Sequence, residues 1–157
     1  MGRRAMNIAI GSDHGGYELK EVLVKFLESH KHEVKDFGTH TKESCDYPLI
    51  GFEVAKVVSR GEFDRGILVC KTGIGMTVIA NKLHGVRAAA CYDAGMAQSS
   101  REHNDCNVLV LAAHYVDQKK AKEITEIWLR TKHLGERHAR RVAQIGKFER
   151  ELKKGHR

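Results

Sequence analysis

The sequence predicts an α/β fold in which a parallel sheet is covered by helices on both faces. Three observations carry that expectation. Strand-like and helix-like periodicities alternate along the 157 residues. The strand candidates are short, nearly unbroken apolar runs, as strands buried on both faces are. Small, polar or reactive residues stand just after several of them, where an open parallel sheet places its ligand-binding loops.

The elements follow in order. Asn7 to Ser12, opening with Asn7-Ile8-Ala9-Ile10, reads as the first strand. Tyr17 to Ser29 carries Leu19, Val22, Leu23, Phe26 and Leu27 at helical spacing. Glu33 to Phe37 is the second strand, Pro48 to Ser59 the second helix, and Gly66-Ile67-Leu68-Val69-Cys70 the third strand. Ile74 to Leu83 returns to helical spacing. Val86 to Cys91 and Asn107 to Leu111 are the last strands, separated by a helix over Ala94 to His103. Ala121 to Thr131 and Glu136 to Lys153 close the chain as helices, the second either packing across the domain or reaching a partner subunit. With no linker or low-complexity stretch, residues 6–157 form one domain behind a basic extension, residues 1–5.

Lys and Arg number 27 against 20 Asp and Glu, a net charge of +7. Residues 132–157 hold nine basic and three acidic residues, so +6 of the excess lies there. Such a tail suits nucleic acid, an acidic membrane surface, a phosphorylated small molecule or a solvated helix face, and charge alone does not choose. Apolar runs fall far short of the ~18 residues of a membrane helix. A strand-like run stands where a signal peptide would need an apolar helix, and position 6 is Met6 rather than the Ser or Thr of a myristoylation signal, so the expected compartment is the cytoplasm. Cys45, Cys70, Cys91 and Cys106 form no C-x-x-C pair, which disfavours a zinc ribbon or a thioredoxin-type site and predicts reduced thiols.

Cys70-Lys71-Thr72-Gly73-Ile74-Gly75 sets a thiol at a strand end before a glycine-rich turn into a helix. Backbone amides there suit an anion, including a thiolate; a buried small residue before a tight turn explains the same pattern. The Walker A sequence is absent, and Met76 stands where a cysteine phosphatase would need Arg. Asp13-His14-Gly15-Gly16 supplies two ionisable groups at another strand end, or simply a helix cap. His103 is a second acid-base candidate or a surface imidazole. Arg137 and Arg141, four apart, form either a phosphate clamp or a solvated basic face.

Taken together, these residues resemble ribose-5-phosphate isomerase type B, in the family that also holds sugar-6-phosphate isomerases. The resemblance spans roughly Met6 to Leu152. It rests on Gly11-Ser12-Asp13-His14-Gly15, Asp46-Tyr47-Pro48, Cys70 to Gly75, Ala80-Asn81-Lys82, Ser100 to Asn107 and Arg137-His138-Ala139-Arg140-Arg141. It implies a Rossmann-like three-layer α/β/α sandwich with a five-stranded parallel sheet and a C-terminal helix. It further implies a homodimer, with a tetramer as the larger alternative, whose active sites lie at the subunit interface. No metal or organic cofactor is implied, and the reaction belongs to the pentose phosphate pathway.

By the same resemblance, Cys70 is the base that moves a proton between C2 and C1 of ribose 5-phosphate and ribulose 5-phosphate. The amides of Lys71, Thr72, Gly73, Ile74 and Gly75 hold the enediolate, and Thr72 relays protons. His103 and Asp13 open the sugar ring, Asn104 and Tyr47 hold the sugar, and His14, Arg137 and Arg141 bind its phosphate, the arginines reaching the partner's site. Two positions depart from the pattern. Lys71 replaces a usual Gly, so its charge either favours the neighbouring thiolate or points to solvent. His114 replaces a usual Arg and, when neutral, is a weaker phosphate ligand. Allose 6-phosphate or galactose 6-phosphate is the alternative substrate. A non-catalytic phosphate or nucleic-acid binder is the alternative class, although aromatics make up only 6% of the chain, leaving few stacking platforms.

Overall fold

The computed structural model describes residues 4–155. Residues 1–3 of the predicted extension, and Arg157 of the basic tail, lie outside the described residues. The elements are β1 (Asn7–Ser12), a 3₁₀ turn (His14–Gly16), α1 (Tyr17–Ser29), β2 (Glu33–Asp36), α2 (Tyr47–Ser59) and β3 (Arg65–Cys70). They continue as α3 (Ile74–Ala80), β4 (Ala88–Ala90), α4 (Ala94–Asn104), β5 (Val108–Ala112), α5 (Gln118–Arg130) and α6 (Glu136–Gly155). All five strands are parallel, in the order β2-β1-β3-β5-β4, the three-layer α/β architecture expected from the sequence.

Side-chain alternation divides the core into two. Ile8, Ile10, Ile67, Val69, Leu109 and Leu111 face the layer of α1, α4 and α5, where Trp128 is fully buried. Ala9, Leu68, Cys70, Val108 and Val110 face α2 and α3. The second face uses smaller residues because α2 lies close against it: a Cβ at Gly11 would stand 2.7 Å from Ile50 Cγ2. That spacing is below van der Waals contact, so glycine is needed for the helix to approach.

The departures from the expected boundaries have local causes. The strand expected over Val86 to Cys91 pairs only at Ala88–Ala90, since Val86 N–H turns to Leu83 O and Arg87 N–H is taken by the Asn107 side chain. Helix α3 stops at Ala80 because Asn81 clamps Ala88 at both its N–H and carbonyl, 2.8 and 3.0 Å away. Helix α5 begins three residues before its first apolar position because Asp117 caps it through Lys120 N–H, and an exposed first turn leaves no mark in apolar periodicity.

Helix α6 packs its first turns on α4 and is tied further along by Glu149 Oε1, which accepts from Gly85 N–H at 2.8 Å. Only His138 on it is buried, and Ile145, Phe148 and Leu152 are exposed. Among the described residues no helix is long and apolar enough to cross a membrane.

Candidate active site

Strand β1 connects outward to β2 and, through α2, to β3 on its other side. The carboxyl ends of β1 and β3 therefore border the crevice where the winding direction changes. Lys20 of α1 secures that edge. Fully buried, its Nζ lies 2.7 and 2.9 Å from the Asp36 carboxylate oxygens and 2.6 Å from Thr39 O, the full pairing a buried ammonium requires. The tethered loop pairs with the end of β1: Ser12 N–H donates to Gly38 O, and Thr39 N–H donates to Ser12 O, both at 2.7 Å.

Asp13 emerges from this frame. Its N–H donates to Val69 O at 3.2 Å and its Oδ1 accepts from Gly16 N–H at 3.0 Å. The capping reading of Asp13 is thus correct, yet it uses one oxygen; Oδ2 has no hydrogen-bond partner among the described residues. His14 Nδ1 accepts from Cys45 N–H at 3.2 Å. That contact puts the lone pair on Nδ1 and, in a neutral ring, the proton on Nε2, leaving a donor for a ligand.

Across the crevice, Cys70 is 4% exposed and its Sγ accepts from Gly73 N–H at 3.2 Å. Gly73 can turn the chain back onto the thiol because its φ of 80° lies in the left-handed region. Ile74 N–H donates to Thr72 Oγ1 at 3.3 Å, while the amides of Gly75 and Met76, in the first turn of α3, have no acceptor within the helix. The Tyr47 ring lies on Gly75, where a Cβ would stand 2.7 Å from its Cε2 and Cζ. The Lys71 stem lies across Gly15, where a Cβ would stand 2.3 Å from Lys71 Cγ. Lys71 is exposed, with its stem lying over the Gly15 turn. His114 stands beside it, donating its N–H to Lys71 O at 3.0 Å.

The structure thus brings together Asp13, His14, Tyr47, Lys71, Thr72, Gly73, Ile74, Gly75, Cys70 and His114. It does not bring His103, Asn104, Arg137 or Arg141 to them. His103 and Asn104 end α4, which begins beside the carboxyl end of β4 and runs eleven residues back toward the amino ends of the strands, a rise of about 16 Å. There His103 stacks on His138, ring centroids 4.4 Å apart and planes 14° apart. Burial, then the charges of His103, Arg137 and Arg141, hold the His138 imidazole below its ordinary pKa. Arg137 and Arg141 are exposed on the same first turns of α6. The candidate residues therefore fall into two groups at opposite ends of the sheet.

Two neighbours of the site were given no role from the sequence. Tyr92 donates its OH to Thr72 O at 2.7 Å and so props the glycine turn; its position just after a strand was the available signal. His138 lay inside the basic motif, but its stacking on His103 joins two helices and leaves no local trace. Of the other thiols, burial first pushes Cys91 and Cys106 up to about 11, which keeps them protonated and unreactive. Among the described residues no group of His, Cys, Asp and Glu is placed to hold a metal ion.

A parallel sheet whose switch point sets a thiol, a carboxylate and an imidazole around a turn of backbone amides defines an α/β enzyme for a small anionic substrate. Residues 8–145 match the family model described as Ribose/Galactose Isomerase. The chain is 44% identical over 142 residues to ribose-5-phosphate isomerase B of Escherichia coli, covering 90% of this chain and 95% of that one. It is 37% identical over 149 residues to D-erythrulose-4-phosphate isomerase of Pectobacterium atrosepticum, covering 94% and 98%. The solved structure of Clostridium thermocellum ribose-5-phosphate isomerase B superposes with a TM-score of 0.92 at 50% identity, over 94% of this chain and 99% of that one. The chain belongs to the ribose/galactose isomerase family, and it is an isomerase.

Proposed function

We propose that the protein interconverts ribose 5-phosphate and ribulose 5-phosphate through an enediolate, in the cytoplasm and without a metal or organic cofactor, as a homodimer whose sites form between subunits. The observation that carries this reading is Cys70 Sγ, held by Gly73 N–H at the switch point, across the crevice from Asp13 and His14. An aldose and its ketose differ by a proton moved from C2 to C1 on the carbons and one moved between O1 and O2. The reaction therefore needs a single base beside two carbons and donors on the developing oxyanion.

In this scheme Cys70 takes the C2 proton and returns it to C1. The turn amides stabilise the enediolate oxygens, and Thr72 relays the proton between them. Ring opening comes first, with Asp13 accepting the anomeric proton and His103 of the second subunit protonating the ring oxygen. Tyr47 and the second subunit's Asn104 hold the sugar. His14 Nε2, with Lys71 and His114 beside it, receives the phosphate from one side, and Arg137 and Arg141 of the second subunit receive it from the other. Holding the phosphate fixes the carbons beside the thiol, so that binding energy serves the chemical step.

A direct assay with ribose 5-phosphate, with and without a chelator, tests the reading. Turnover that survives chelation and disappears in Cys70→Ala is expected; absence of turnover, or full activity in Cys70→Ala, overturns it. Allose 6-phosphate, galactose 6-phosphate and erythrulose 4-phosphate as parallel substrates fix the chain length that the pocket prefers.

A further inference from the structure

At the end of the sheet away from Cys70, a cavity of about 530 Å³ opens between the last turns of α1 and α5 and the first residues of β1 and β3. The volume is that of a small-molecule site. Its lining combines apolar Phe26, Leu27 and Leu129 with basic Arg65, Arg101, Arg130 and Lys132, and Glu126 is the one acid among the described lining residues.

The two inner arginines differ. Arg101 is compensated: its Nη1 lies 2.8 Å from Asp105 Oδ1 and 2.6 Å from Cys106 O. Arg65 is not paired with any carboxylate among the described residues. Its Nη1 donates to the backbone carbonyl of Asp64 at 2.7 Å, and its Nε is buried with no partner. Both guanidinium groups lie against Trp128, 6.0 and 5.9 Å from the ring centroid. Burial, then the Arg101 charge, holds the Arg65 pKa below its ordinary value. Like charges held side by side, one of them with an unmet buried donor, cost free energy unless an anion completes them.

We infer that this cavity is a second ligand site, for an organic phosphate whose anionic group meets Arg65, Arg130 and Lys132 and whose flat or apolar body lies on Phe26, Leu27 and Leu129. A nucleoside monophosphate has that division. The cavity is distinct from both parts of the proposed isomerase site, since neither Cys70 at the carboxyl ends of the strands nor His103, Asn104, Arg137 or Arg141 lines it.

Trp128 is the single tryptophan of the chain, and it touches the cavity's arginines, so its emission reports occupancy. The experiment titrates the full chain with adenosine 5′-monophosphate, with adenosine and with inorganic phosphate. A saturable change with the monophosphate below about 1 mM is expected, with each fragment binding at least about tenfold more weakly. Arg65→Gln and the exposed Arg130→Ala should each weaken the monophosphate about tenfold, whereas Cys70→Ala and Arg137→Ala should bind it like the parent. If Arg65→Gln does not fold, Arg130→Ala decides. The inference fails if no saturable change appears up to about 10 mM. It also fails if adenosine binds as well as its phosphate, or if Arg137→Ala loses the response and the Arg65 and Arg130 variants keep it, which would place the phosphate in the isomerase site.

Discussion

Mixing two inactive variants should restore activity, because the two halves of the proposed site stand at opposite ends of one chain. Cys70→Ala removes the base at the carboxyl ends of the strands, and His103→Ala removes the acid at the far end of α4, eleven residues and about 16 Å of helix away. In a two-fold dimer each site joins Cys70 of one subunit to His103 of the other. A mixed dimer then has one site with both defects and one with neither. With equal amounts and full exchange, about half the dimers are mixed and each has one intact site of two, giving about a quarter of the parental turnover per subunit. The assay is ribose 5-phosphate isomerisation after the variants are unfolded together and refolded, against each variant refolded alone. Activity no greater than the sum of the separate variants would refute the reasoning, because it would place Cys70 and His103 of the same chain in one site.

Gly75→Ala drives a methyl to 2.7 Å from the Tyr47 ring; since Tyr47 is 39% exposed and can swing outward, stability should fall by only about 1 kcal/mol while KM rises about tenfold, as unfolding and steady-state kinetics would read. His138→Gln tests the imidazole stack by pH. A folded-state pKa held below the ordinary value of about 6.5 means that the unfolded chain binds the proton more readily, so stability contributed by neutral His138 is full above that value and is lost as pH falls through the lower, folded one. The melting temperature of the parent should accordingly drop more steeply below about pH 6.5 than that of His138→Gln; parallel pH profiles would contradict the assignment. Iodoacetamide at mild alkaline pH should leave Cys91 and Cys106 unlabelled in the folded protein, since burial pushes both thiols up to about 11, and peptide mass spectrometry would detect the contrary.

The sheet and the sequence of its elements were legible because strands buried on both faces must be apolar throughout while the helices carry an apolar stripe. What periodicity missed were the ends decided by single polar side chains: Asn81 clamping Ala88, Asp117 starting α5 ahead of its apolar face, Asn107 taking the amide of Arg87. These are contacts between one side chain and the backbone of one residue, and the Asn107–Arg87 contact spans twenty residues. The strand order was also hidden, since parallel strands of similar composition pair in any order that their connections allow. The basic tail was only partly interpretable. Arg137 and Arg141 share the turn that carries His138, whereas Arg150, Lys153 and Lys154 stay exposed on a helix end where Lys147 and Glu151 approach to 4.0 Å, a solvated face, one of the readings that charge alone left open.

The division of the proposed site into halves, by contrast, follows from connectivity and needs no side-chain detail. In a parallel sheet every strand must leave at the same edge, so each crossover helix begins near the carboxyl ends of the strands and finishes near their amino ends. Cys70 closes a strand and Asp13 follows one directly; both belong at the first edge. His103 and Asn104 close a helix that leads back into a strand, so they belong at the second, whatever the order of the sheet. The opening of α6 falls with them, because α5 has already carried the chain back across the sheet. A reaction that requires Cys70 and His103 on one sugar cannot be completed within a single copy of this topology unless a helix unwinds. Bringing the second edge of another copy against the first edge of this one joins the two sets without altering either, and two-fold symmetry then builds the second site from the remaining halves. Dimerisation in this account is a condition of the chemistry, imposed by where a parallel fold must put the ends of its helices.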